Sequence, residues 1–277
     1  MKKVLLGVAA LALFAAACKN DKKDDITPVP TTEDWNISGA VDTDNDSLIY
    51  TYNADKSINT IEEATVNNPD GYYRLFRFSY DNGKPVRVTI KKKKTDTEVT
   101  YKQFVYSGNR LVRIDNFFDI MDQATSIAAS RDTLVYENDK LVKVEKGAGN
   151  GSDRKREFTW TGNSITAEKE YRPVNNTLTL SYNRTFTYSD KANPAKTLSY
   201  AYFLIGDQSN TYNLSDNFIT SRKVINHLGV PDGEYTWGRS FDNKGLMLTD
   251  TTTYKSGSGG KTETYVTRYK YIDLNKK

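Results

Sequence analysis

Hydrophobic and polar residues alternate along most of the chain in short segments that end at clusters of turn-forming residues. In each copy of the pattern, an aromatic or aliphatic residue precedes a short turn, and an aliphatic residue opens the next segment. Period-2 alternation broken by turn residues is typical of strands, so the pattern predicts a repeated β-hairpin. Copies begin at Tyr52, Tyr80, Tyr106, Tyr136, Trp160, Tyr188, Leu214, Phe241 and Tyr271, spaced by about 27 residues.

The turn residues favour two-residue hairpin turns. Asn138-Asp139 is a dipeptide that tolerates the positive φ angles which such turns require. With a two-residue turn there, we expect Tyr136 to lie opposite Leu141, and Val135 to pair with Val142 on the other face. Similar dipeptides occur at Asn82-Gly83, Gly108-Asn109, Gly162-Asn163 and Asp216-Asn217.

The connections at the other end of the hairpins are longer. Residues 198–204 alternate well enough to be predicted as a strand, and Trp35–Val41 is predicted as a strand before the first repeat. Tight turns on one rim and long loops on the other predict an all-β fold, a large up-and-down antiparallel β-barrel or barrel-like sheet of about 16–18 strands. The longer connections cover residues 91–98, 116–130, 146–153, 172–178, 205–210, 227–233 and 255–260.

The first residues predict export and lipidation. Two lysines follow Met1, residues 4–17 are apolar, and small residues precede Cys18, which is the one cysteine of the chain. This apolar stretch is too short to span a bilayer, so residues 1–17 are predicted to be a signal peptide. The small residues before Cys18 resemble the bacterial lipobox, which implies acylation of that cysteine and attachment to a membrane. Residues 18–34 are predicted to be a flexible tether, and residues 35–277 a single barrel-like domain.

The segment after Cys18 bears on location. Gram-negative lipoproteins destined for the outer face often carry acidic residues just after the anchor, and Asp21, Asp24 and Asp25 resemble that signal, with Lys22 and Lys23 interspersed. We expect a lipid-anchored protein of the Gram-negative outer membrane. The sequence leaves both the periplasmic and the external face open.

The charge balance argues against nucleic acid as a partner. The formal net charge is +4 over 277 residues, and 12% of the residues are aromatic. Such a balanced chain lacks the broad positive field that neutralises phosphates. Lys91–Lys94 is interpreted as a solvated strand end that discourages edge pairing; an acidic glycan or lipid head group is the alternative.

The sequence carries little that predicts catalysis. His227 is the one histidine, it lies in a predicted loop, and the chain has no Gly-x-Ser-x-Gly motif. Paired carboxylates can hydrolyse glycosides, and Asp115, Asp119 and Asp122 lie close together in the longest loop, yet loops are commonly acidic for solvation. We expect no enzyme and no cofactor.

A weak calcium loop is also considered. Asp42, Asp44 and Asp46 supply oxygen ligands at alternating positions, as in the first half of an EF-hand loop. Ser47 occupies the sixth position, where glycine is needed, and Asn53 the twelfth, where a bidentate glutamate belongs. A solvated turn before the first repeat is the favoured interpretation.

The repeats resemble two known groups. Tyr80-Asp81-Asn82-Gly83 and Tyr188-Ser189-Asp190 are similar to the YD repeats of RHS-type bacterial shell proteins, as is Phe241–Leu246. The chain as a whole, its lipobox included, resembles an uncharacterised family of Gram-negative lipoproteins, a domain of unknown function with a porin-like fold. That resemblance covers residues 45–275 approximately. It implies a large β-barrel and no known activity, and it transfers no functional residues.

Three functions remain open from the sequence. The favoured one is a non-catalytic binding or structural module that takes a glycan, peptide or lipid at the long-loop rim or in the lumen. The second is a carrier of a hydrophobic ligand, because so wide a barrel is not filled by its own side chains. The third is an outer-membrane pore. Lys102, Arg113, Lys143, Glu145 and Lys169 are assigned to the strand face of the nearest aromatic residues, which makes that face unsuitable for lipid.

Overall fold

A computed structural model of the chain describes residues 35–43, 46–65, 73–118, 124–125, 127–148, 154–193, 195–206, 211–257 and 260–276. These residues form sixteen antiparallel strands in a closed barrel, in which each strand pairs with its neighbours in the sequence and β1 pairs with β16. The strands are β1 Trp35–Val41, β2 Asp46–Tyr52, β3 Ile58–Thr65, β4 Tyr73–Asp81, β5 Lys84–Lys91, β6 Val99–Ser107, β7 Arg110–Asn116, β8 Ser130–Glu137, β9 Lys140–Ala148, β10 Arg154–Thr161, β11 Ser164–Val174, β12 Thr177–Ala192, β13 Asn217–Asn226, β14 Pro231–Phe241, β15 Met247–Ser256 and β16 Thr262–Asp273.

The barrel confirms the predicted all-β, up-and-down architecture. Strand β1 is the predicted extra strand, and it closes the barrel by pairing with both β2 and β16. Its first residue, Trp35, lies opposite Asp273 at the end of β16. An even number of strands lets the first and last strands meet antiparallel, so no exposed sheet edge remains at this seam.

One rim of the barrel, here called the turn rim, carries the tight hairpin turns that the sequence predicts. Asn138 and Asp139 have φ angles of 48° and 63°, and Asn82 and Gly83 have 49° and 74°. A two-residue turn whose twist matches that of the strands requires both of its central residues in the left-handed region, and both turns meet this requirement. The opposite end is the loop rim. The prediction of a long connection at 172–178 is wrong, because Val174 pairs with Thr177 around a two-residue turn.

A β-bulge follows the aromatic residue in each repeat. Tyr136 lies opposite Leu141 as predicted, but Val135 pairs with Lys143 and not with Val142, which is the extra residue of the bulge. A bulge reverses the face to which later residues of the strand point, and it strengthens the local twist. Within the described ranges seven hairpins share this bulge, and the extra residues are Asn59, Val86, Val112, Val142, Thr166, Thr220 and Leu248.

The predicted strand at 198–204 is wrong, since helix α1 covers Lys196–Ile205. Leu198, Ala201 and Leu204 recur at helical spacing and are buried. Leu198 and Leu204 would also share one face of a strand, so these two positions fit either element. The side chain of Asn193 accepts a hydrogen bond from the amide of Ala195 before the helix, and the amide of Gly206 bonds to Tyr202 at its end. Short 3-10 helices cover Thr211–Leu214 and Leu274–Lys276.

Between β12 and β13, residues 193, 195–206 and 211–216 take the place of a tight turn and lie inside the barrel; they are here called the inserted segment. The hydroxyl of Tyr202 lies 3.3 Å from that of Tyr50 on β2. The hydroxyl of Ser215 accepts a hydrogen bond from the amide of Ile165 on β11. One short segment reaches strands this far apart around the barrel only from within the lumen.

Candidate functional site

The lumen has an apolar half beside the turn rim. Side chains of the strands point inward there and pack around Phe203 and Leu204 of α1, which are 5% and 1% exposed. Ile61, Val88, Ile114 and Ile165 of the strands are completely buried. The buried apolar residues of strands and helix form one continuous core, so the inserted segment fills space that a sixteen-stranded barrel would otherwise leave open.

The repeating aromatic residues connect neighbouring hairpins in this half. Tyr80 donates a hydrogen bond of 2.8 Å to the carbonyl oxygen of Ile58, in the preceding hairpin, and Trp160 donates one to Leu141. Equivalent bonds run from Tyr106 to Pro85, from Tyr188 to Ile165 and from Tyr271 to Met247. Each aromatic side chain is packed against the core while its polar atom bonds to the preceding hairpin. The repeating aromatic residues therefore form a packing layer that joins the hairpins at the turn end of the barrel.

The half of the lumen beside the loop rim is lined by charged side chains. Glu170 on β11 is buried and forms ion pairs with Arg154 at 3.5 Å, Arg172 at 2.7 Å and Arg184 at 2.7 Å. Burial alone would raise the pKa of Glu170, but the hydrogen bonds and charges of Arg172 and Arg184 outweigh it and hold that pKa below its usual value. About a third of the Arg154 side chain and about half of the Arg172 side chain are exposed at the loop-rim opening of the barrel.

A second carboxylate of this group is sealed from solvent. Glu168 accepts hydrogen bonds from Arg184 and Thr211, and burial raises its pKa despite the charges of Arg156 and Arg184. Two carboxylates with oppositely shifted pKa values can form an acid and base pair. Glu168 is only 1% exposed, and its carboxylate forms ion pairs with Arg156 at 3.8 Å and with Arg184 at 2.8 Å, so the two glutamates belong to one ion network.

Aromatic side chains continue this lining on β14 and β15. The guanidinium of Arg222 lies 3.9 Å from the ring centre of Tyr235, and the Tyr235 ring packs 4.6 Å from that of Tyr254. Next to them, Arg239 is bonded to Asp250 at 3.3 Å. The Tyr235 and Tyr254 rings are partly exposed, so the tilted ring pair and the Arg222 guanidinium over Tyr235 provide aromatic and cationic surface at the lumen wall.

A cavity of about 360 Å³ lies between the C-terminal end of α1 and strands β3–β9. Lys102 donates a hydrogen bond of 2.7 Å to the carbonyl oxygen of Gly206 at its edge. The amide of Asn116 donates to the carboxylate of Asp132 at 2.9 Å and to the hydroxyl of Ser130 at 3.2 Å. The cavity is lined by these polar groups and by apolar ones such as Phe76, Phe118 and Ile205, so its lining is mixed and offers a hydrophobic ligand no purely apolar surface.

The outer surface of the barrel is polar. Pairs of Lys143 with Glu145 at 2.8 Å and of Lys155 with Glu157 at 2.9 Å lie on it. The predicted placement of Arg113, Lys143, Glu145 and Lys169 beside the aromatic residues is wrong, because the bulges turn these four outward while the aromatic rings point inward. The placement of Lys102 is confirmed, since Lys102 faces the lumen.

Sequence-predicted site residues do not converge. Asp115 lies on the outer face, in ion pairs with Arg113 and Arg131, and Asp119 and Asp122 lie outside the described residues. His227 is exposed in the turn after β13. The basic run begins at the last residue of β5, as expected for a strand end, and two of its ammonium groups lie over aromatic rings, Lys92 over Phe118 and Lys94 over Tyr73.

The candidate calcium residues are only partly described. Asp42 accepts a hydrogen bond from the amide of Asp46, and Asp46 accepts one from Thr65, as in a capped turn. Asp44 lies outside the described residues, as do Cys18 and the predicted signal peptide and tether. The described part of the chain contains no group of three metal-ligating side chains, and no helix in it is long and apolar enough to cross a membrane.

Solved structures with a similar fold are porin-like proteins. One, from Bacteroides uniformis ATCC 8492, is 14% identical, with a TM-score of 0.54 over 85% of this chain and 98% of its own. Another, from Bacteroides vulgatus ATCC 8482, is 8% identical, with a TM-score of 0.44 over 84% of this chain and 97% of its own. No protein-family model and no curated protein sequence matches the chain. The similarity to the first of these structures agrees with the sixteen-stranded barrel. At this sequence identity it bears on the fold and not on the function.

Proposed function

We propose that the chain is a lipid-anchored protein of the Gram-negative cell envelope, held to the outer membrane through Cys18, whose barrel stands in water as a non-catalytic binding module. The observation that carries the proposal is the direction of the strand faces. Apolar side chains point into the barrel, and ion pairs and hydroxyl groups cover its outside.

A barrel that spans a membrane needs the opposite arrangement. Membrane barrels present an outward apolar band of about 25 Å, and a charged side chain at mid-membrane costs about 2–4 kcal/mol there. Here Arg77 and Glu98 form an outward ion pair, and Thr51 bonds to Thr60 on the same surface. The outer wall is adapted to water, and the acyl chains of Cys18 supply the membrane attachment.

The interior argues against the other two functions. A pore needs a continuous aqueous passage, and the inserted segment with its surrounding core closes the turn half of the lumen. A carrier of hydrophobic ligands needs an empty apolar cavity, and the apolar half is packed while the cavity at the C-terminal end of α1 has a mixed polar and apolar lining. What remains accessible is polar and aromatic surface at the two rims, which suits binding.

Membrane fractionation of cells that express the full chain tests the proposal. The wild type is expected in the membrane fraction and the Cys18→Ala variant in the soluble fraction, with the same folded barrel by circular dichroism. Purified protein is expected to give no conductance in planar bilayers. Retention of the variant in membranes after alkaline carbonate washing, or stepwise conductance, would overturn the proposal in favour of a pore.

A further inference from the structure

The turn rim carries an open groove beside the start of α1. One lobe of about 750 Å³ lies between the helix and the turns of the β8–β9 and β10–β11 hairpins. A second lobe of about 570 Å³ lies on the other side of the β8–β9 turn. The two lobes share Tyr136, Asp139 and Tyr200, and together they are called the turn-rim groove. Their volumes fall within the range of pockets that hold small-molecule ligands.

Aromatic rings line the wall and floor of this groove. Tyr200 on α1 is 36% exposed, an unusual position for a large aromatic side chain of a lumen helix. Its ring stacks on Phe203, and it lines the smaller lobe together with Tyr106. Tyr136 and Trp160 are partly exposed beside it. These rings are held rigidly by the core, so they present apolar faces at little entropic cost.

Hydrogen-bonding groups surround the aromatic rings. Asp216 accepts hydrogen bonds from Lys196 at 2.6 Å and from Asn163 at 2.7 Å, which fixes all three side chains at the edge of the larger lobe. The carboxylate of Asp139 is 89% exposed between the lobes. Carboxylate, amide and ammonium groups at fixed positions match the alternating hydroxyl groups of a sugar.

The charge of the groove selects among ligands. The larger lobe contains two lysines, Lys140 and Lys196, and two aspartates, Asp139 and Asp216, and the smaller lobe adds Arg110, so the lining of the groove has a net charge of +1. So small a net charge gives the groove little electrostatic preference for an ion. The loop half of the lumen differs, because arginines outnumber carboxylates around Glu170.

We propose that the turn-rim groove binds a neutral oligosaccharide, with its sugar rings stacked on Tyr200 and Trp160 and its hydroxyl groups bonded to Asp139, Asn163 and Asp216. The inference rests on the proposed function as a binding module and assigns the ligand class and the rim. It differs from the expectation that ligands bind at the loop rim or in the lumen.

Titration with defined sugars tests the inference. The full chain in detergent is titrated with cellohexaose, xylohexaose, mannohexaose, maltohexaose and laminarihexaose, and with oligogalacturonate as the acidic counterpart. Binding is measured by calorimetry and by the fluorescence of Trp160 in a Trp35→Phe, Trp237→Phe variant. At least one neutral hexasaccharide is expected to bind and to shift the Trp160 emission, and Tyr200→Ala is expected to weaken it at least tenfold.

Two further variants keep the result interpretable. Thr197→Trp adds bulk at an exposed position of the groove without removing a core contact, so it replaces Tyr200→Ala should that variant unfold. Tyr265→Ala alters an aromatic residue that is 38% exposed in the loop half of the barrel, and it is expected to bind as the wild type does.

The outcomes separate this inference from the proposed function. Sugar binding lost in Tyr265→Ala but kept in Thr197→Trp would place the ligand in the lumen; this overturns the groove and leaves the binding module intact. Binding of oligogalacturonate alone would overturn the neutral ligand. Displacement of the sugar by a synthetic peptide of residues 19–34 would show that the groove holds the chain's own tether, which overturns the oligosaccharide as its ligand. An absence of binding across the whole panel would overturn the inference as well, whatever the membrane fractionation shows.

Discussion

The ammonium group of Lys102 on β6 donates a 2.7 Å hydrogen bond to the carbonyl oxygen of Gly206, immediately after the last residue of α1. Lys102 is only 5% exposed. A cation at this position satisfies a terminal carbonyl group and interacts favourably with the negative end of the helix dipole. The bond fixes the C-terminal end of α1 to the barrel wall.

Replacement of Lys102 by methionine is expected to lower the free energy of unfolding by about 1–3 kcal/mol, because the carbonyl of Gly206 loses a charged donor inside the protein. Urea unfolding followed by circular dichroism measures the change. Lys143→Met removes a lysine from an outward ion pair and is expected to change stability by less than about 1 kcal/mol. Equal effects of the two substitutions would contradict the role of Lys102.

Leu204→Ala tests whether the inserted segment is part of the core. Leu204 is 1% exposed on α1, and its truncation is expected to cost about 2–5 kcal/mol through lost burial and a new cavity. Leu228, which is 72% exposed, is the matched control, and Leu228→Ala is expected to change stability by about 0.5 kcal/mol or less. A helix that merely rested on the barrel would show no difference between the two.

Glu170→Gln is expected to destabilise the barrel by about 3–5 kcal/mol, since it leaves Arg154, Arg172 and Arg184 around a neutral amide. The outward Glu157→Gln, which loses only a surface pair with Lys155, is the control. Thermal unfolding of both variants at pH 7 measures the effect.

The same carboxylate predicts a pH dependence. The pKa of Glu170 is lower in the folded protein than its usual value, so the stabilisation is present above about pH 4.5 and is lost as the pH falls through the folded pKa. The stability difference between wild type and Glu170→Gln is therefore expected to shrink below pH 4. A constant difference from pH 7 to pH 3 would rule this out.

The tyrosines of the turn rim predict an alkaline limit. Burial raises the pKa of Tyr80 and that of Tyr136 to about 12. Unfolding exposes these phenols, which then ionise near pH 10, so stability is expected to hold up to about pH 10 and to fall between pH 10 and 12. Urea midpoints across this range measure the loss. Tyr80→Phe is expected to reduce the slope, whereas Tyr265→Phe, at an exposed position, leaves it unchanged.

The sequence predicts the barrel well because its signals are local. The turn dipeptide Asn138-Asp139 and the pair of Tyr136 with Leu141 follow from turn chemistry, and the structure contains both. The bulge at Val142 cannot be predicted from the sequence, since one extra residue hardly changes the composition and the alternation of apolar and polar residues continues on either side of it. The outward positions of Lys143 and Glu145 were misassigned for the same reason.

The lumen is harder to predict. The sequence predicts a strand in place of helix α1, because Leu198, Tyr200, Tyr202 and Leu204 alternate with period two. The same segment also fits a helix, and only the burial of its residues inside the barrel decides between the two. Glu168 and Glu170 alternate on β11 with ordinary strand spacing. Their clustering with arginines from β10 and β12 depends on long-range register, and the one available signal was a pair of carboxylates on the inward face of a strand.

The position of Trp35 opposite Asp273 determines where the chain enters the barrel. Tyr271, two residues earlier, bonds to Met247 beside the β14–β15 turn, so β1 starts at the turn rim. The described chain therefore enters the barrel at the rim that α1 closes, and the arginine-lined opening lies at the opposite end. Under the proposed lipidation of Cys18, residues 18–34 would reach about 55 Å at full extension, which sets an upper limit on the distance between the turn rim and the membrane.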